Sequence, residues 1–292
     1  MTIYFYAHTD NRTGLDRLRR SAALAKELQK EYEVYFMTTE FRSATYAKQH
    51  LGIKKAVGIE DFRNVGTICE RGDILVYDSN EHNETIHQEM IDFFGAFIRI
   101  SYDPKDLPKE KEILISPYIV GENVINGILV DMDYFKDREK SIDKLFFYGD
   151  SDYEKRMLEI APQLKDFQME FLEGFYFFVD MEEKLTPFFT TYHPYEEYQE
   201  SIRSARTFLS FSPQSALEAV AAGAKTIYIQ SKEEDEYLSV LERAGVKNLG
   251  YFDATHLQEA LLNPSVPNKE YLQSLSVEKV AKRLSEYLKS SS

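Results

Sequence analysis

Residues 205–229 read Ala205-Arg-Thr-Phe-Leu-Ser-Phe-Ser-Pro-Gln-Ser-Ala-Leu-Glu-Ala-Val-Ala-Ala-Gly-Ala-Lys-Thr-Ile-Tyr-Ile229. The run 207–211 has strand character, Ser212 is a natural N-cap and Pro213 a natural first helical residue. An alanine-rich helix over 214–222 then gives way to a second strand at 226–229. Working outward, the same alternation continues in both directions. Downstream come a helix at 234–244, a strand at 249–252, a helix at 257–262 and an amphipathic last helix at 277–288. Upstream lie a strand at 144–148, a helix at 153–164, and a strand at either 169–172 or 175–179. Residues 186–198, with two prolines and three tyrosines, are the least regular part. Further back, strands at 3–7, 34–37, 73–78, 97–102 and 113–116 alternate with helical stretches such as Leu15, Leu18, Ala22, Ala25 and Leu28. Residues 131–142, DMDYFKDREKSI, lack a periodic face and read as a linker. The fold expected is α/β: two consecutive Rossmann-like parallel-sheet domains, 1–139 and 140–292, with the helix 277–288 able to pack back on the N-terminal domain.

Composition narrows the function. The 292 residues hold 35 basic and 49 acidic side chains, a formal charge of −14, and both domains are acidic. A nucleic-acid or anionic-membrane partner needs clustered Lys and Arg and is disfavoured. With 43% hydrophobic residues a real core is expected, not disorder. Cys69 is the single cysteine, which excludes an internal disulfide, a thiolate zinc site or an iron–sulfur cluster. No histidine pair has metal-ligand spacing, and no metal is expected. No apolar run reaches the roughly 18 residues of a membrane span, and the N-terminus has no charged leader, so no transmembrane segment and a cytoplasmic location are expected.

In open parallel sheets ligands sit beyond the carboxyl ends of strands, beside helix N-termini. The first such turn is 8–20, His-Thr-Asp-Asn-Arg-Thr-Gly-Leu-Asp-Arg-Leu-Arg-Arg, with arginines at 12, 17, 19 and 20. Arg17 or Arg20 could meet an anion in bidentate geometry; the plainer alternative is an exposed arginine-rich helix start paired with nearby acids. The second turn is 148–152, Tyr-Gly-Asp-Ser-Asp. Gly149 would let the backbone approach a phosphate, while Asp150 and Asp152 would equally serve as helix caps. The third is 209–223, where Glu218 faces either solvent or a ligand hydroxyl pair. Asp78 ends a strand in the first domain and is followed by Ser79, Asn80, Glu81 and His82. His82 and His87 read as surface residues of the next helix, and His193-Pro194 as a turn.

Together these turns resemble the two-domain nucleotide-sugar enzymes of the GT-B fold, whose domains face one another across a cleft. The likeness is greatest to the UDP-sugar hydrolase of pseudaminic acid biosynthesis, with MurG-like glycosyltransferases further off. The stretch 13–25, Thr-Gly-Leu-Asp-Arg-Leu-Arg-Arg-Ser-Ala-Ala-Leu-Ala, follows the layout of the family's G-x-G-H-x-x-R turn. Val76-Tyr-Asp78 and Ser101-Tyr-Asp103 look like its acidic strand ends, and 149–152 is similar to its GG-S-D turn. The match over 205–229 is the most specific.

The resemblance implies a UDP-sugar as substrate and no cofactor. Gly149, Asp150, Ser151, Ser212, Gln214 and Ser215 would bind the diphosphate, Gly14 and Ser210 would also lie in the nucleotide-sugar site, and Glu218 would hold the ribose. Where the family has its second glycine and histidine, this chain has Asp16 and Arg17. Arginine cannot act as a base, since its pKa stays above about 12. The acceptor's proton would go to Asp16, His8 or Asp78, with Asp16 preferred, and Arg17 would offset the charge of the leaving diphosphate or hold a sugar carboxylate. The reaction implied is hydrolysis of a UDP-linked amino sugar. The alternative is transfer to a sugar, lipid or protein hydroxyl, and a third reading is a non-catalytic nucleotide-sugar-binding subunit.

Overall fold

A computed structural model describes residues 2–290 apart from positions 82, 179 and 234; the sequence reading of His82 therefore falls outside the described residues. The chain divides into two compact units. The first holds Met1–Asp10, Arg17–Met132 and Leu275–Ser292, and the second holds Asn11–Asp16 and Asp133–Ser274.

The first unit is built on a parallel sheet of seven strands among the described residues: β1 (Thr2–Ala7), β2 (Glu33–Thr38), β3 (Ala56–Gly58), β4 (Ile74–Asp78), β5 (Ala96–Ile100), β6 (Ile113–Ser116) and β7 (Val124–Asn126). Their spatial order is β3-β2-β1-β4-β5-β6-β7. Every residue of β4 and β6 is buried, as expected of a parallel sheet covered on both faces. The C-terminal helix Val277–Ser290 belongs to this unit and buries Val277, Val280, Ala281, Leu284 and Leu288.

Among the described residues the second unit carries six parallel strands: β8 (Ile142–Phe147), β9 (Glu170–Leu172), β10 (Tyr192–His193), β11 (Ala205–Ser210), β12 (Lys225–Tyr228) and β13 (Lys247–Asn248), in the order β10-β9-β8-β11-β12-β13. Aromatic rings fill its core: Phe171 stacks on Phe189 with centroids 4.8 Å apart, and Phe146 packs on both.

Several expectations are corrected. The last strand lies at Lys247–Asn248, not 249–252, and the helix expected over 153–164 starts at Met157 because the Asp152 carboxylate accepts from the amides of Arg156 and Met157. Of the two strand options after β8, Glu170–Leu172 is the one formed; residue 179, in the other, is outside the described residues. Likewise the helix expected from 234 is described as Leu238–Arg243. The irregular stretch 186–198 contains β10 and leads into the helix Tyr198–Ser204. His193 is accordingly a strand residue, with Nε2 2.7 Å from Glu170. His87, expected on the surface, is half-buried: its ring lies edge-on to Phe97 and its Nε2 is 2.8 Å from the buried Glu112.

Candidate functional site at the switch point of the second sheet

The chain winds outward from β8 through β9 to β10 on one side, and from β11 through β12 to β13 on the other. The boundary between β8 and β11 is thus the point where strand order reverses, and the crevice at the carboxyl ends of such strands is where open parallel sheets hold ligands. These strands end at Phe147 and Ser210. A pocket of about 290 Å³ opens there, lined by Tyr148, Gly149, Asp150 and Ser151 after β8, Phe211, Ser212 and Pro213 after β11, and Arg12, Thr13, Gly14 and Asp16, with Ser231 at its edge.

Each wall has a local cause. Gly149 has φ +130°, a conformation that side chains rarely adopt, and a Cβ there would meet nothing within 4 Å. It turns the chain so that the backbone itself borders the pocket. Ser212 caps the helix Pro213–Ala221, its hydroxyl accepting from the Ser215 amide at 3.1 Å. The dipole of that helix makes the wall electropositive. The segment Asn11–Asp16 is tied in three ways. The Asp150 carboxylate accepts from the Leu15 amide at 3.0 Å, Ser212 Oγ donates to Asp16 at 2.7 Å, and Ser151 Oγ donates to the Asn11 carbonyl. The Arg12 guanidinium lies 5.1 Å from the Tyr153 ring centre, bordering a neighbouring hollow of about 440 Å³ with Ser151, Asp152 and Arg156. Burial, aided by the Asp152 charge, pushes the Tyr148 phenol up to about 12, so at neutral pH it faces the pocket as a neutral donor.

The sequence candidates separate into three groups. Gly14, Asp16, Gly149, Asp150, Ser151 and Ser212 line the pocket. Ser210, Gln214, Ser215 and Glu218 are buried behind it. Glu218, 2% exposed, does not face solvent: its carboxylate accepts from the Tyr198 hydroxyl at 2.7 Å and from Gln214 Nε2 at 3.0 Å. Arg17 and Asp78 belong to the first unit, at the β1–β4 reversal of its own sheet. There Arg20 grips Asp78 with two hydrogen bonds of 2.6 and 2.5 Å, Ser21 adds a third, and Arg17 Nε stands 3.8 Å off. The expectation of an exposed arginine-rich helix start is therefore corrected: Arg19 and Arg20 are buried. His8 of this unit is 2.7 Å from Asn80 and 3.6 Å from Asp10. Arg12 and Tyr198 were not among the sequence candidates. An arginine beside Gly14 was visible as a signal for the first, but nothing local marks the second.

Two Rossmann-like units in one chain, each with a parallel sheet, define the GT-B fold. MurG of Acinetobacter baumannii is similar with a TM-score of 0.56 and 9% identity, over 99% of this chain and 100% of that one. The UDP-GlcNAc 2-epimerase of Methanocaldococcus jannaschii, solved with UDP-GlcNAc and UDP, gives 0.61 and 12% over 99% of each chain. The spinosyn rhamnosyltransferase SpnG, complexed with thymidine diphosphate, gives 0.61 and 10% over 99% of this chain and 96% of that one. At such identities the likeness is one of fold. No protein-family model and no curated protein matches the sequence.

Proposed function

We propose that the chain is a glycosyltransferase that takes its sugar from a nucleoside-diphosphate sugar and passes it to a hydroxyl acceptor. The observation carrying this reading is the pocket at the switch point of the second sheet. A glycine turn, a capped helix N-terminus and an arginine converge there on a volume suited to a diphosphate. The amides after Gly149 and the dipole at the start of the Pro213 helix would hold the phosphates, Ser151 would donate to them, and Arg12 would offset the charge that builds on the leaving diphosphate as the sugar–oxygen bond breaks. Transfer is favoured over hydrolysis because glycosyltransferases recur among the structures of this fold, whereas the position that is histidine in the UDP-sugar hydrolases is Arg17 here, which cannot act as a base.

The test is thermal unfolding with UDP, dTDP, GDP, ADP and CMP. A ligand at 100 times its Kd stabilises the native state by about 2.7 kcal/mol, a shift easily read. One nucleoside diphosphate should raise the midpoint. Arg12→Met should weaken its binding by roughly 10- to 100-fold, the range for one hydrogen bond to a charged group. No response to any nucleotide would overturn the reading. A response without turnover of any matching sugar donor would leave a binding subunit.

A further inference from the structure

From the pocket to the core of the second unit runs an unbroken line of oxygen atoms. Asp16 accepts from Ser212 Oγ at 2.7 Å, Ser212 Oγ lies 2.7 Å from Ser215 Oγ, Ser215 Oγ 2.6 Å from the Tyr198 hydroxyl, and that hydroxyl 2.7 Å from Glu218 Oε2. Each separation is that of an O–H···O hydrogen bond. There are four such links and only three hydroxyls, each with one proton to place between oxygens. With both carboxyls ionised, one link would set two oxygens against each other without a proton. A fourth proton completes the line. We infer that Asp16 and Glu218 share one proton across Ser212, Ser215 and Tyr198, so that one of the two carboxyls is neutral at neutral pH.

The line has two complete arrangements. In one, Glu218 is protonated and donates to Tyr198, Tyr198 to Ser215, Ser215 to Ser212 and Ser212 to an ionised Asp16. In the other, every donor is reversed: Asp16 is protonated and Glu218 ionised, with Gln214 Nε2 still donating to Glu218 Oε1 at 3.0 Å. Passing between them breaks four O–H bonds and forms four, with no proton gained or lost. The Ser215 amide donates to Ser212 in both. Nearby, Tyr228 lies within electrostatic reach of Asp16 but donates its own proton to Asp235.

The arrangement resolves a difficulty in the proposed chemistry, and this consequence rests on that reading. An ionised Asp16 would repel a diphosphate in the same pocket. A bound anion instead favours the second arrangement, which makes the pocket-facing carboxyl neutral and moves the negative charge to Glu218, inside the helix pair. Asp16 can then hand its proton to the oxygen of the leaving diphosphate as that oxygen takes the bonding electrons, and the proton that the acceptor hydroxyl sheds as it bonds the sugar returns to Asp16 and restores the line's fourth proton.

Infrared spectroscopy of the unliganded protein at neutral pH tests the proton count without any ligand. The protonated-carboxyl stretch should be present in the wild type. It should vanish in Glu218→Gln and in Asp16→Asn, where an amide proton fills the fourth link. It should also vanish in Ser215→Ala, where both carboxyls remain but the line is cut and each half is satisfied by its own hydroxyl. No such band in the wild type overturns the inference. A band lost only in Glu218→Gln would also overturn it, since burial alone would then protonate Glu218. Asp16→Asn and Ser215→Ala check one another should either fail to fold, as circular dichroism would show. Inorganic pyrophosphate, once bound, should displace the band without reducing its area. An unmoved band would overturn the transfer to Asp16. Failure of pyrophosphate to bind would count against the proposed function and leave the proton count standing.

Discussion

Arg20 and Asp78 form a pair whose two partners are both almost wholly buried, and the guanidinium also covers the Tyr102 ring at 4.8 Å. Removing one member of such a pair strands a desolvated charge, a loss of about 3–5 kcal/mol, whereas replacing both by apolar groups is often close to neutral. Arg20→Met should therefore destabilise the first unit by about 3 kcal/mol in urea unfolding followed by circular dichroism. Arg20→Met combined with Asp78→Leu should recover most of that loss. A single substitution costing under about 1 kcal/mol would mean that Arg17, already 3.8 Å away, takes over the carboxylate. Single residues show how far sequence reading reaches. Ser212 and Pro213 were legible because a cap is defined by neighbours in the chain. Glu218 was not, because helical periodicity reports polarity and cannot reveal that another helix supplies Tyr198 to cover it. The fate of Arg20 was hidden for the same reason: its acid lies 58 positions away.

At the level of elements, the central strands were legible as apolar runs, and the edges were not. The four edge strands, β3, β7, β10 and β13, have three, three, two and two residues. That is too short for period-two alternation to register, and three were missed while the fourth was misplaced. The turns that shape the pocket depend on an equally local feature. A Cβ on Gly174, just beyond β9, would stand 2.3 Å from the Gly149 carbonyl oxygen and 2.7 Å from that of Asp150, both backbone atoms. The Tyr176 amide also donates to the Asp150 carbonyl at 2.8 Å, so this stretch supports the glycine turn from behind. Gly174→Ala should therefore cost about 1–3 kcal/mol, as overpacking does, and should also reduce the thermal shift produced by the nucleotide. Gly66→Ala is the control: it sits in the short helix Val65–Ile68 with nothing within 4 Å of the added methyl, and should not lower stability and should leave the nucleotide's thermal shift unchanged. If Gly174→Ala lowered stability but left nucleotide binding intact, the 149–151 turn would not be part of the binding wall.

On the scale of the whole molecule, the sequence order and the spatial grouping disagree at two places. The segment Asn11–Asp16 falls within the second unit although its neighbours on both sides lie in the first, and Leu275–Ser292 joins the first unit although it follows the second in the chain. An amphipathic pattern over 277–288 shows that the last helix has a face to bury but not which sheet receives it. The structure gives the receiving surface. The Ile128 amide donates to the Leu275 carbonyl at 2.8 Å, and Gly127 approaches so near that a Cβ there would lie 2.0 Å from Val280 Cγ2. Five apolar side chains of the helix are buried in this contact region of the first unit. Burying a side chain the size of Val or Leu is worth about 1.5–3 kcal/mol, so the helix represents several kcal/mol, a large share of the roughly 5–15 kcal/mol by which a domain is stable. Ending the chain after Ser274 should thus lower or abolish the melting of the first unit in calorimetry while a transition for the second unit persists. Gly127→Val should lower the same transition with the chain intact. Loss of both transitions together in the truncated chain would mean that the second unit does not fold without the first, and nucleotide binding could then be assayed only in the full chain.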